Sequence, residues 1–306
     1  MIRVLASDGM DKGAIAALQA KGVQVDVQFY EPDDLCKAVA EYDVLIVRSK
    51  TKVRVPQIDA AAAAGRLKLI IRAGVGVDNI DVKYAESKGI TVKNTPRASS
   101  QSVAELALGH MFSASRYISA AGKSMRDGAW EKKAYEGIEL CGKTLGIIGY
   151  GRIGQHLGVM AKAIGMNVIA YDIYHIPGIE EKLGIPYVEL DDLLAKADFI
   201  SVHAPAVDGG AIINADTIAK MKDGVVIINT SRGTNVDAAA LLEGLKSGKV
   251  YGAGLDVFDK EPPTDWAELI NMPRVSCTPH IGASTKEAQK RIGLELVDIV
   301  TAAFSL

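Results

Sequence analysis

Apolar runs a few residues long alternate with segments of helical spacing from one end of this chain to the other. Short runs rich in valine and isoleucine, apolar at consecutive positions, are what strands buried on both faces require. With helical segments between them they predict parallel α/β sheets. A first series comprises Ile2–Ala6, Val23–Gln28, Val44–Val47, Leu67–Ile71 and Thr91–Lys93. A second comprises Thr144–Ile148, Asn167–Tyr171, Phe199–His203, Val225–Asn229, Tyr251–Leu255 and Val275–Cys277. Ser102-Val103-Ala104-Glu105 reads as a capping box, Ser102 being the N-cap, and opens an apolar helix to about Tyr117. Ser284-Thr285-Lys286-Glu287 repeats that pattern and opens a last helix, Lys286 to Phe304. A helix placed after the final strand can return to the first series. The expected fold class is therefore α/β, with two doubly wound parallel-sheet domains: residues 1–96 plus 285–306, and residues 97–284 between them. The cleft between such domains, at the carboxyl ends of the strands, is where a ligand is expected.

The second series opens with a turn that has its own chemistry. Gly149-Tyr150-Gly151-Arg152-Ile153-Gly154 follows the strand at Thr144–Ile148, precedes a helical segment from Arg152 to Ala163, and is followed by Asp172 at the end of the next strand. That is the pattern of a dinucleotide-binding βαβ unit. The first glycine permits the tight turn, the second lets backbone amides approach a pyrophosphate, and the third lets helix pack on strand. The helix N-terminus offers free N–H groups to the phosphates. Asp172 can accept both adenosine ribose hydroxyls and would repel a 2′-phosphate. Neither Ile173 nor Tyr174 supplies an arginine to hold one, so the expected cofactor is NAD rather than NADP.

Composition narrows the remaining classes. At 306 residues the chain can bury two cores. With 24% charged residues and a net charge of −2, no nucleic-acid partner is expected. No apolar run approaches a membrane span, and no signal segment precedes the first strand, so a cytoplasmic location is expected. The 3 cysteines, Cys36, Cys141 and Cys277, have no paired spacing, which argues against disulfides and against a metal site.

Three polar groups follow strands of the second series: Arg232 in Asn229-Thr230-Ser231-Arg232-Gly233, Glu261 in Leu255 through Pro263, and His280 in Thr278-Pro279-His280-Ile281-Gly282. Together they supply what oxidation of a hydroxy acid needs. A histidine takes the hydroxyl proton, an acid stabilises the imidazolium, and an arginine grips the carboxylate bidentately.

From about Val44 to Asp298 the order and spacing of these motifs resemble the D-2-hydroxyacid dehydrogenases. Arg72-Ala73-Gly74-Val75-Gly76-Val77-Asp78-Asn79-Ile80-Asp81 looks like that family's substrate loop, and Pro279 through Thr285 is similar to its histidine motif. The resemblance implies a Rossmann NAD-binding domain inserted into a flavodoxin-like substrate domain. It implies Arg232, Glu261 and His280 as catalytic residues, His280 being general acid and base. It implies substrate contacts at Arg48, Arg72, Val75, Gly76, Arg232 and His280. Cofactor contacts are implied at Gly149, Gly151, Arg152, Ile153, Gly154, Asp172, His203, Thr230, Asp256, His280 and Gly282, with Asp256 orienting the nicotinamide carboxamide. A homodimer is implied too, Asp127 through Lys133 with Trp130 resembling the contact region. His110, His156 and His175 carry no partner motif and are read as structural.

Within the family, Val47 through Val53, Asn94-Thr95-Pro96 and Ile281 through Gln289 are most similar to D-3-phosphoglycerate dehydrogenases. That likeness implies a phosphorylated 2-hydroxy or 2-oxo acid and the oxidation that begins serine biosynthesis. A second cationic region would then hold the phosphate: Arg48, Lys50, Lys52 and Arg72, with Lys132 or Lys133 reaching across a dimer. The chain stops at Leu306, so a C-terminal regulatory domain and feedback through it are not expected. Ala206-Val207-Asp208-Gly209-Gly210 lacks the threonines often found in that loop, and Val75 stands where relatives often have threonine. The alternatives are a hydroxypyruvate, glyoxylate or other D-2-hydroxyacid reductase and, in another class, an NAD-sensing protein like the C-terminal-binding-protein corepressors.

Overall fold

The computed structural model describes residues 1–207 and 209–306; Asp208, in the threonine-free loop, lies outside the described residues. The chain divides into two compact units, Met1–Ser100 with Ala283–Leu306, and Gln101–Gly282. Each is built on one parallel sheet with helices against it.

In the first unit the strands are β1 (Arg3–Ala6), β2 (Gln24–Val27), β3 (Val44–Val47), β4 (Leu69–Arg72) and β5 (Thr91–Asn94), in the order β2-β1-β3-β4-β5. That is the flavodoxin-like order. The three central strands, β1, β3 and β4, read as apolar runs because both faces are covered, whereas the edge strands β2 and β5 keep polar, exposed positions. Val4, Val44, Ile46, Leu69 and Ile71 pack in one core, and Leu5, Leu45, Val47 and Ile70 in the other. The last helix, Lys286–Phe304, belongs to this unit and lies against the helix Lys12–Ala20. The approach is close at Gly293, where a Cβ would sit 2.8 Å from that of Ala14. The cap of the last helix falls one residue later than the capping pattern placed it. Thr285, not Ser284, accepts the amide of Ala288, at 3.1 Å.

The second unit holds β6 (Thr144–Ile148), β7 (Asn167–Tyr171), β8 (Phe199–Val202), β9 (Val225–Asn229), β10 (Val250–Leu255) and β11 (Val275–Cys277). Their order is β11-β10-β9-β8-β6-β7, and all pair in parallel. Next to β7 a single parallel bridge joins Ala170 to Tyr187. Counting it as a vestigial strand restores the order of a dinucleotide-binding sheet. Pro186 has no N–H to donate, which is one reason that strand does not extend.

Strand order reverses between β6 and β8, and the glycine turn lies there. Gly149 has φ +93, and a Cβ on it would meet the Ala204 amide nitrogen at 2.5 Å. On Gly154 a Cβ would lie 2.6 Å from the Gly149 carbonyl oxygen and 2.9 Å from Ile147 Cγ2. On Gly151 it would meet nothing within 4 Å. The outer glycines serve packing, and the middle one leaves an open face.

The capping reading of Ser102 does not hold. The helix begins earlier, at Ser100, which places Ser102 inside it, buried, with its hydroxyl donating to the Gly282 carbonyl at 2.6 Å. Glu105 accepts from the Gln101 side chain instead of reaching back to a cap. Among the described residues no helix is long and apolar enough to cross a membrane.

The contact at Gly154 is testable. Gly154→Ala should lower unfolding stability by about 1–3 kcal/mol, the usual cost of overpacking against a backbone that cannot yield. Urea denaturation of the two proteins measures it, and an unchanged midpoint would contradict the close helix–strand contact.

Candidate active site

The loops after β9, β10 and β11 carry Arg232, Glu261 and His280. Each loop is shaped by buried polar groups. After β9, Asn229 is fully buried and its Oδ1 accepts both the amide of Ser231, at 3.0 Å, and its hydroxyl, at 2.7 Å. Its Nδ2 donates to the Arg232 carbonyl at 2.8 Å. One side chain thus closes the turn that presents Arg232. The next residue allows the neighbouring loop to come close. A Cβ on Gly233 would lie 1.8 Å from the Phe258 carbonyl carbon, so only glycine lets the two loops meet.

His280 and Glu261 are paired. Nδ1 of His280 lies 2.9 Å from Oε2 and 3.1 Å from Oε1 of Glu261. Their side chains are 35% and 38% exposed, so the pair is half out of water and open to a ligand. Burial works against the charge on Glu261, but the hydrogen bond and charge of His280 outweigh it, with smaller help from the Phe258 amide and Arg232. The carboxyl is held below its ordinary range. The charge of Arg232 thus favours the same ionised carboxylate that His280 does. A cavity of about 430 Å³ beside the pair is lined mainly by Phe258, Pro262, Pro263, Ile270, Cys277 and Thr278.

Beneath His280 lies Asp256, 1% exposed. Its Oδ1 accepts the Thr278 hydroxyl at 2.6 Å and the Ile281 amide at 2.8 Å, and its Oδ2 accepts the Gly282 amide at 2.8 Å. Burial raises its pKa, and these three hydrogen bonds and the charge of His280 pull it back without cancelling the rise. The carboxylate therefore ties down both ends of the short loop that carries His280. His280 itself sits at φ +54, a left-handed conformation unusual for a residue with a side chain. Thr278 also meets His110, whose Nε2 lies 3.0 Å from its hydroxyl, while Nδ1 lies 2.9 Å from that of Ser276. Burial pushes His110 down to about 4, so the ring is neutral.

The glycine turn fits a dinucleotide. The helix Arg152–Ala163 has Gly151 as its N-cap, and among the described residues no side chain is bonded to its first-turn amides; a Cβ on Gly151 would meet nothing within 4 Å, so the turn is open there. Asp172 is partly buried; its Oδ2 accepts the Tyr150 amide at 2.7 Å and its Oδ1 the Tyr174 amide at 3.1 Å. Each oxygen keeps a lone pair for a ribose hydroxyl. After β8, His203 shares a hydrogen with Ser201 at 2.8 Å and is pushed down to about 4 by burial. Its Nδ1 and the Thr230 hydroxyl have no hydrogen-bond partner among the described residues. These are unsatisfied polar atoms on the loops after β8 and β9.

The remaining expected residues belong to the first unit. Arg48 and Lys50 line a cavity of about 360 Å³ with Ser7, Asp8, Phe29 and Ser49. Asp8 shapes that loop, accepting the Arg48 amide at 2.7 Å, the Thr51 amide at 3.0 Å and the Thr51 hydroxyl at 2.6 Å. The Lys50 ammonium lies over the Phe29 ring, 3.5 Å from its centroid. Lys52 is exposed and does not line the cavity. Arg72 folds over Gly74, where a Cβ would collide with its guanidinium, and donates to the Ala73 carbonyl. The carbonyl of Val75 accepts from Asn94 at 2.6 Å, whereas the amides of Val75 and Gly76 take no acceptor among the described residues. Asn79 ties this loop to the first, donating to the carbonyls of Arg48 and Thr51, each at 2.7 Å.

Asp8 stands in no motif, His110 reads as structural in the sequence, and Asn79, Asn229 and Thr278 stand in the motifs but have no role of their own there. The available signal was a polar residue beside an apolar strand or helix run, which by itself does not say what it bonds.

Comparison with known proteins agrees with this geometry. Residues 108–282 match the sequence profile of the D-isomer specific 2-hydroxyacid dehydrogenase, NAD binding domain. A hydroxypyruvate reductase of Thermotoga maritima is 52% identical over 97% of this chain and 96% of its own length. A D-3-phosphoglycerate dehydrogenase of Archaeoglobus fulgidus is 42% identical over 100% of this chain, which spans 58% of that longer protein. Among solved structures, a D-lactate dehydrogenase of Aquifex aeolicus complexed with NAD and lactic acid superposes with a TM-score of 0.85 at 29% identity, covering 99% of this chain and 95% of the other. Fold, cofactor turn and relatives converge, and this chain belongs to the NAD-dependent D-2-hydroxyacid dehydrogenases.

Proposed function

We propose that Arg232, Glu261 and His280 carry out the acid–base and binding work of interconverting a D-2-hydroxy acid and its 2-oxo acid. The observation that carries this reading is the His280–Glu261 pair at 2.9 Å, with the charge of Arg232 acting on the same carboxylate. An ionised Glu261 can only accept, so the proton it binds is on Nδ1 of His280 and the lone pair is on Nε2. Nε2 is then the atom that takes the hydroxyl proton in oxidation and returns it in reduction. The imidazolium formed on the way is stabilised by Glu261. Arg232 holds the substrate carboxylate and draws electron density from the reacting oxygen. Bound NAD supplies the acceptor for the hydride of the substrate carbon, and the glycine turn with Asp172 would hold it. Amides of Val75 and Gly76, which take no acceptor among the described residues, suit a carboxylate.

For the substrate, the reading favoured by the cation-lined cavity of the first unit is D-3-phosphoglycerate, oxidised to 3-phosphohydroxypyruvate at the start of serine biosynthesis. Arg48, Lys50 and the hydroxyl of Ser49 are the chemistry a phosphate needs, and the Asp8 carboxylate in the same lining is engaged by the Arg48 amide and by Thr51. A second reading, reduction of hydroxypyruvate, is favoured by the relative that matches over nearly its whole length. Exposed Ile118, Met125 and Trp130 support a homodimer made through the second unit.

NADH oxidation measured in parallel with phosphohydroxypyruvate and hydroxypyruvate separates the two substrates. The first reading expects kcat/KM at least roughly tenfold higher for the phosphorylated acid, the value of about one charge-assisted hydrogen bond. Parity, or preference for hydroxypyruvate, favours the second. NADH binding with turnover of neither would move the reading toward another acid or an NAD-sensing role.

His280→Ala should lower kcat by roughly 10²–10⁴ while NADH still binds, the range for loss of a general acid or base. Loss of NADH affinity with kcat retained would remove His280 from the proton-transfer role.

A further inference from the structure

We propose that His110, which no motif and no part of the reaction scheme uses, is a positioning residue for His280: through Thr278 it directs the hydrogen bond that keeps the Asp256 carboxylate clasping the loop on which His280 sits. This rests on the role given to His280 above.

The direction of each bond follows from counting protons. The Thr278 hydroxyl has one hydrogen, and it goes to the Asp256 carboxylate at 2.6 Å. Its oxygen can then only accept from Nε2 of His110, 3.0 Å away, so Nε2 carries the ring proton. Nδ1 is left as an acceptor, and the hydroxyl of Ser276 at 2.9 Å must donate to it. Ser276, His110 and Thr278 thus form one line of hydrogen bonds, every donor pointing toward Asp256. Such chains strengthen their members in a low-dielectric interior. At its far end Asp256 holds the amides of Ile281 and Gly282.

The surroundings argue against His110 as mere filler. On the helix Ser100–Arg116 its neighbours Ala107, Met111 and Ala114 are fully buried and apolar. An apolar side chain there would need no partners, whereas an imidazole must have both nitrogens bonded to be tolerated. Both are bonded. Strand β10 makes room for it: a Cβ on Gly254 would lie 2.5 Å from that of His110. The same helix grips the loop a second time, through the Ser102 hydroxyl on the Gly282 carbonyl. His110 therefore sits where the helix meets the strand that leads into the His280 loop.

The test compares wild type with His110→Leu, Thr278→Val, their double variant and Thr278→Ser. Steady-state kinetics use NADH and whichever of hydroxypyruvate and phosphohydroxypyruvate the wild type reduces better. NADH affinity comes from fluorescence titration. Each apolar single variant should lose roughly ten- to a hundredfold in kcat, the penalty for a displaced catalytic group, with the NADH Kd little changed. The double variant should be no slower than the slower single, because both break one line, and Thr278→Ser should recover most of what Thr278→Val loses. Wild-type kcat in His110→Leu, well below its Tm, would overturn the proposal, as would fully additive losses. If His110→Leu does not fold, the Thr278 variants decide: equal loss in Thr278→Val and Thr278→Ser would overturn it. A wild type that reduces neither acid would instead sink the reading of His280 on which the proposal stands.

Discussion

A buried carboxylate, Asp256, holds the loop of His280 in place. Asp256 is almost sealed from water, and an isolated charge there would be costly by several kcal/mol. Three donors offset that cost, and two of them are the amides of the loop that bears His280. The need to satisfy Asp256 is therefore also what forces the loop into shape. His280 pays with a left-handed backbone, φ +54, and gains a fixed station beside Glu261. Removing one member would leave others unsatisfied, which is why the arrangement behaves as a unit.

Around that centre the parallel sheet and a few glycines determine what can converge. All strands of the second unit run the same way, so the loops bearing Arg232, Glu261 and His280 leave neighbouring strands at the same edge. Gly233 then lets two of those loops touch, and Gly149 and Gly154 draw the helix of the cofactor turn against strand and loop. Packing and function are not separable at these positions. The first unit applies the same plan with different means, holding the Arg48 loop with the Asp8 carboxylate and the Asn79 amide.

Much of this was legible before the structure. The strands buried on both faces are continuous apolar runs, and β3, β6, β7, β9 and β11 lie where the pattern placed them. Other ends moved by a residue or two: β4 and β5 run on through the paired Arg72 and Asn94, whereas β1, β2 and β8 are shorter than their apolar runs. The vestigial strand at Tyr187 could not be read, because Pro186 interrupts a run too short to stand out. The capping pattern at Ser102 misled: a serine before an apolar run has the same sequence signature whether it caps its helix or bonds a distant carbonyl. In the candidate site the charged residues were visible through their motifs, but their supports were not. Asp256 was expected to face the cofactor and His110 to be structural. Neither residue's bonds can be inferred from spacing, since Thr278 and Gly282 are brought to them only by the fold.

Whether Asp256 serves the loop or the cofactor first is the most direct test of this account. Asp256→Asn keeps the shape but changes an acceptor into a donor toward backbone amides. Single-turnover hydride transfer from prebound NADH to the better 2-oxo acid, with NADH affinity measured on the same protein, separates the two roles. The account predicts transfer slowed by roughly ten- to a hundredfold, with NADH affinity within about threefold of wild type. Collapse of NADH affinity with an unchanged transfer rate once bound would contradict it.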